Sequence, residues 1–63
     1  MATFIIVAKD DRGLKYLSHF DRDNSVVTWA REAELSALFT YRDIAQADNF
    51  AAIFRGWAVR RPS

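Results

Sequence analysis

The sequence predicts one small α+β domain. An antiparallel sheet, made of a three-strand meander plus a C-terminal strand, packs on one main helix in the order β-β-β-(short turn)-α-β. Two observations lead there. Three short runs rich in β-branched and aromatic residues open the chain, separated by turn-forming residues. One later stretch carries apolar residues at helical spacing. A length of 63 residues, 51% of them hydrophobic, suffices for one core and not for two, so the domain is expected to span residues 1–63.

The first strand is Thr3–Lys9. Phe4, Ile6 and Ala8 lie on one side of it and Ile5 and Val7 on the other, so it is apolar on both faces and belongs inside the sheet. Asp10-Asp11-Arg12-Gly13 is a turn in which Gly13 can take positive φ. Leu14–Phe20 follows, with Leu14, Tyr16, Ser18 and Phe20 alternating against Lys15, Leu17 and His19. Asp21-Arg22-Asp23-Asn24 is a second turn, and Ser25–Ala30 a third strand. Short turns between three strands make a meander. Residues 32–38, rich in alanine, leucine and glutamate, predict one short helical turn.

The main helix is expected over residues 41–55. Thr40 is the expected N-cap, with Asp43 three positions on as a capping-box partner and Phe39 and Ile44 as a hydrophobic staple. Ile44, Ala47, Ala51 and Phe54 form its apolar stripe, which Phe50 widens. Gly56 stands where a C′ residue ends a helix. Residues 57–61 make a last strand, closed by Pro62. The order third-second-first-last puts the doubly apolar first strand in the middle.

A domain this small is marginal unless disulfides, a metal or a second subunit help it. Zero cysteines exclude disulfides and thiolate zinc sites, and the single histidine, His19, excludes a multi-histidine site. No cofactor is expected. The longest apolar run, Phe4–Ala8, is five residues, too short for a membrane span or a signal-peptide core. A cytoplasmic location follows as the expectation.

The net charge is +1. Residues 25–49 carry Glu32, Glu34, Asp43 and Asp48 against Arg31 and Arg42, while residues 50–63 carry Arg55, Arg60 and Arg61 and no acid. Neither part is a basic stripe of the kind a non-specific nucleic-acid binder shows. Nor is there enough negative charge to copy duplex DNA, which bears one charge per about 1.7 Å of axis.

Reactive constellations are weak. Ser18 and His19 are adjacent in one strand, so alternation keeps them from acting as nucleophile and base. Asp10 with Asp11, and Asp21 with Asp23, serve as turn residues without any metal or acid-base role. The two glycines, 43 positions apart, form no phosphate cradle. No catalytic residue is assigned, and an enzyme is not expected. Tyr16 and Phe20 share a strand face and, with Arg60 and Arg61, offer an alternative as a nucleic-acid-binding surface, although the same spacing fits a core.

One helix covers one face of a sheet. If odd positions align across the meander, the other face holds Ile5, Val7, Leu17, Val27 and Trp29. Either residues 31–39 fold across that face, or a partner covers it, which a homodimer would also satisfy. Acidic Asp21, Asp23, Glu32, Glu34, Asp43 and Asp48 are spread along the chain and are expected to form a local acidic edge if the fold gathers them.

Lys15-Tyr16-Leu17, Val27-Thr28-Trp29, Glu32-Ala33, Phe39 and the Ile44-Ala45-Gln46-Ala47 run resemble a pattern in very small proteins of bacteriophages and mobile elements, among them anti-CRISPR proteins. The resemblance covers roughly residues 4–55 and rests on packing positions. It implies a non-enzymatic inhibitor that occludes a host defence protein such as a Cas subunit. The residues expected to contact that partner are Asp21, Asp23, Glu32, Glu34, Asp43 and Trp29.

Overall fold

The computed structural model describes residues 1–61. The strands are β1 (Ala2–Asp10), β2 (Gly13–Asp21), β3 (Val26–Ala30), β4 (Phe39–Tyr41) and β5 (Trp57–Arg60). A 3-10 turn, Ala33–Leu35, lies between β3 and β4, and the helix α1 is Ile44–Ala52. The α+β class, the meander and the short helical turn are all present. Pro62, expected to close the last strand, lies outside the described residues.

The β1–β2 turn has two residues, Asp11 and Arg12, between the paired Asp10 and Gly13. Gly13 holds φ 113 and the Asp10 carboxylate accepts from the Arg12 amide at 2.9 Å. In the next turn Ser25, expected to begin the third strand, is left-handed at φ 54.

Phe4 pairs with Phe39 and also with Arg60, while Val7 pairs with Tyr16 and also with Trp57. A strand has two edges. β5 therefore holds one edge of β1, and β2 and β4 share the other, β2 beside residues 7–10 and β4 beside residues 2–4. The expected order third-second-first-last is found as β3-β2-β1-β5. β4 is the addition: it fills the wedge where β2 leaves β1, and the Ala37 amide ties its approach to the Leu17 carbonyl at 2.9 Å.

β4 takes residues assigned above to the helix start. Thr40, the expected N-cap, is in the strand, because Phe39 and Tyr41 turn together onto Phe50 with ring centroids 5.2 and 5.9 Å away. Asp43 is the actual cap: its carboxylate accepts from the Gln46 amide at 3.0 Å, and the Gln46 carboxamide oxygen accepts from the Arg42 amide at 3.0 Å. The staple does not form, since Phe39 packs on Phe50 and Ile44 stays 48% exposed.

The helix also ends early. Gly56 donates to Ala51 and Arg55 to Ala52, at 3.0 and 3.1 Å, a Schellman pattern whose left-handed residue is Arg55 at φ 58. Gly56 is therefore C″ rather than C′. Its glycine is required elsewhere, because a Cβ there would overlap the Val7 carbonyl oxygen.

Phe4, Ile6, Leu17, Ala47, Ala51 and Ala58 form the buried core. Small Ala47 and Ala51 let α1 approach β1 and β5 closely, and the Asp48 carboxylate pins the helix by accepting from the Ala58 amide at 2.9 Å. Over β2 and β3 the layer is aromatic. Phe50 meets Phe20 and Phe54 at 5.8 and 5.3 Å, and Phe54 meets Trp29 at 5.9 Å.

Candidate functional site

The side of the sheet away from α1 differs from the one expected. The two-residue turn pairs Ala8 with Lys15, so even positions of β1 oppose odd positions of β2. Leu17 then faces α1, and Trp29, its partner, with it. A β-bulge at Ser18 resets the parity, so Phe20 and its partner Val27 face α1 as well. Of the expected set, Leu17, Val27 and Trp29 are under the helix, and only Ile5 and Val7 lie on the far side. Trp29 is half-buried against Phe54, with Lys15 Nζ 4.4 Å from its ring. It is a partly buried residue packed against the core. Tyr16 and Phe20 fall on opposite faces, and Phe20 is packed between Phe50 and Phe54, which removes the base-stacking platform.

The far face is built from other residues. Ile5 lies opposite Val59, and Val7 between Tyr16 and Trp57. Flanked this way Ile5 and Val7 are only 6% and 3% exposed, while Trp57 and Val59 are each 41% exposed. Leu14 opposite Lys9 and Val26 opposite Asp21 belong to the same side, and continuing the alternation back from core-facing Phe39 assigns Leu38 to it. Nine large hydrophobic side chains are exposed among the described residues, and these five, Leu14, Val26, Leu38, Trp57 and Val59, share one face. Within residues 31–39, Leu35 and Leu38 are themselves 60% and 64% exposed. Charge sits at the rim, on Lys9, Asp21 and Arg61, whose amide bonds the Thr3 carbonyl at 2.8 Å. The signal for Trp57 and Val59 was their alternation with Ala58 in a strand that borders β1.

The acidic residues do not form one edge. Asp21 and Asp23 lie at the turn before β3, Glu32 and Glu34 beyond its other end, and five strand residues between them span roughly 16 Å. Asp21 is engaged locally: its carboxylate accepts from Asn24 Nδ2 at 2.7 Å and from the Asp23 amide at 3.1 Å, and the Asn24 bond above all holds its carboxyl below the usual range. Asp43 caps α1 and Asp48 holds β5. Ser18 Oγ donates to the Thr28 carbonyl at 3.1 Å, and His19 is exposed. Among the described residues no three His, Cys, Asp or Glu side chains gather closely enough to hold a metal ion, and no helix is long and apolar enough to cross a membrane.

No family model matches the chain, and no curated protein or solved structure matches it.

Proposed function

We propose that this chain is a non-catalytic binding protein that lays the face of its sheet away from α1 on another protein and so covers a surface that protein needs. The observation that carries the reading is the exposed pair Trp57 and Val59 beside Val7 and Ile5, with exposed Leu14 and Val26 towards the two ends of β2 on the same face. Apolar side chains left exposed together on a monomer commonly mark an interface. The centre of the face is uncharged and its rim has both signs, which suits a protein surface with an apolar middle better than a phosphate backbone, which needs cations along its track. The resemblance of Lys15-Tyr16-Leu17 and Val27-Thr28-Trp29 to small phage inhibitors points to a bacterial defence component, a CRISPR-Cas subunit in the host cytoplasm, as the protein covered. Trp57 takes the anchoring role first expected of Trp29. Asp21 and Asp23 at one end of β3, Glu32 and Glu34 at the other, contribute at the rim, and Asp43 stays with its helix.

The purified chain should co-elute with a defence complex on a sizing column, and Trp57→Asp with Val59→Asp should abolish this while the circular dichroism spectrum is kept. Co-elution by that folded variant rejects the face as the contact. Failure of every CRISPR-Cas complex to retain the wild-type chain rejects the target class. Glu32→Lys with Glu34→Lys should weaken retention only slightly.

A second reading makes another copy the occupant. An uncharged centre does not repel itself, and the molecule is 18 Å thick but 30 by 26 Å across, close to the roughly 800 Å² each partner contributes to a standard interface. Light scattering decides it: a mass of 7.3 kDa at high concentration excludes the dimer.

A further inference from the structure

The first residues of β1 run between two strands that each lead to an arginine. Ala2 pairs with Tyr41, one residue before Arg42, and Phe4 pairs with both Phe39 and Arg60. With neighbouring strands about 4.8 Å apart, the backbones of β4 and β5 stand roughly 10 Å from each other across β1. At this end of the sheet lies an open cleft of about 580 Å³, lined by Ala2, Phe4, Arg42, Asp43, Ile44 and Arg60 together with Met1. That size is usual for a site holding a small molecule.

The single ion pair among the described residues joins Arg31 to Asp10 at the opposite end of β1, so among those residues neither Arg42 nor Arg60 has a carboxylate partner. Asp43 also lines the cleft, but its carboxylate is turned to the Gln46 amide. Arg61 follows Arg60, and Arg22 stands near enough to Tyr41 to oppose the upward push of burial on its phenol. Asp21 and Asp23 share the Arg22 turn, with the Asp21 carboxylate engaged by Asn24.

We propose that this cleft binds a phosphate ester, the phosphate held between Arg42 and Arg60 and the organic group resting on Ile44. Two guanidinium forks match a dianion with several acceptor oxygens better than a single carboxylate. Ile44, left exposed by the failed staple, supplies apolar surface at the mouth. Such an ester comes either as a free nucleotide or as the 5′ end of a nucleic-acid strand. The site is separate from the apolar face, so either can fail without the other.

Amide and arginine side-chain NMR signals of the labelled full chain would be followed against uridine, uridine 5′-monophosphate and a 5′-phosphorylated hexanucleotide. The monophosphate should give saturable shifts at Ile44, Ala45, Arg42 and Arg60, and uridine should give none. Arg42→Gln and Arg60→Gln should each weaken binding about 10-fold or more, the scale of a lost charge-assisted hydrogen bond. Arg12→Gln, in the β1–β2 turn, should change nothing. Tighter binding of the hexanucleotide identifies a strand end as the source, and equal binding a free nucleotide. The proposal is overturned if the monophosphate produces no saturable shift up to about 10 mM, a range that reaches weaker than 4 kcal/mol of binding, or if both glutamine variants, still showing the folded spectrum, bind as the wild type does.

Discussion

Arg31 grips Asp10 with both ends of its guanidinium, Nη1 to Oδ1 at 3.0 Å and Nη2 to Oδ2 at 2.7 Å, and so ties the end of β1 to the residue after β3. The same arginine donates to the Leu14 carbonyl at 3.3 Å. The Arg31 bonds first, and the Arg12 amide second, lower the Asp10 pKa from 3.8 to about 2. A carboxyl whose pKa is depressed by folding adds stability above its unfolded pKa and loses it as pH falls through the folded one. The contribution of Asp10 is thus complete above pH 4 and fades towards pH 2. Asp10→Asn should melt at a lower temperature than the wild type near neutrality, with the two melts converging near pH 2. Because the pair is solvent-exposed the difference should be small and should shrink in high salt.

The end of α1 separates two roles that a glycine often combines. Arg55 holds the left-handed angle, at a cost of about 1 kcal/mol for a residue with a Cβ. Gly56 holds the close approach to Val7. Arg55→Gly should therefore stabilise the domain by up to about 1 kcal/mol, reduced somewhat by the added freedom of the unfolded chain. Gly56→Ala should destabilise it by about 2 kcal/mol or more, since β5 must move off β1 to admit the methyl group. Urea unfolding of the two variants gives opposite signs if the division is right.

Much of this architecture was legible in local chemistry. Ile5, Ile6 and Val7 announced a strand buried on both sides, and the two aspartate-rich turns fixed a meander around it. What misled was parity. Alternation within β1 or β2 is visible in sequence, but which face of one strand meets which face of the next depends on a turn of two residues and on one extra residue at Ser18. Those two features moved Leu17, Val27 and Trp29 to the helix side, turned Tyr16 to the far one, and kept Phe20 under the helix. β4 was hidden for another reason. Three residues, Phe39-Thr40-Tyr41, carry little strand signal beside a helix start, and only their packing on Phe50 decides the matter.

Phe50 is the residue on which the aromatic layer turns, touching Phe20, Phe39, Tyr41 and Phe54. Truncating a fully buried phenylalanine costs about 3–5 kcal/mol, and partly buried Phe50 stands towards the low end of that range. A core of this size rarely supplies more than about 3–5 kcal/mol in total. Phe50→Ala should consequently lack a cooperative thermal transition at 25 °C and above, and its near-ultraviolet circular dichroism should be lost. Ile53→Ala, one turn away from that layer's edge and 69% exposed, should stay within about 0.5 kcal/mol of the wild type.

Trp57 stands beside Val7 in the sheet and is 41% exposed. Leu38, at 64% exposure, contributes little to the core. Binding and folding should therefore respond differently to the two residues. Leu38→Thr should leave the unfolding free energy within about 0.5 kcal/mol of the wild type and yet weaken the complex with the covered protein. Trp57→Ala should weaken that complex by at least about 2 kcal/mol, roughly 30-fold, the scale of an aromatic anchor at the centre of an interface. It should also lower stability by about 1 kcal/mol through the added exposure of Val7. Calorimetric titration paired with urea unfolding separates the two effects. A loss of affinity for Trp57→Ala no larger than its loss of stability, with Leu38→Thr binding unchanged, would leave the far face without a role in recognition.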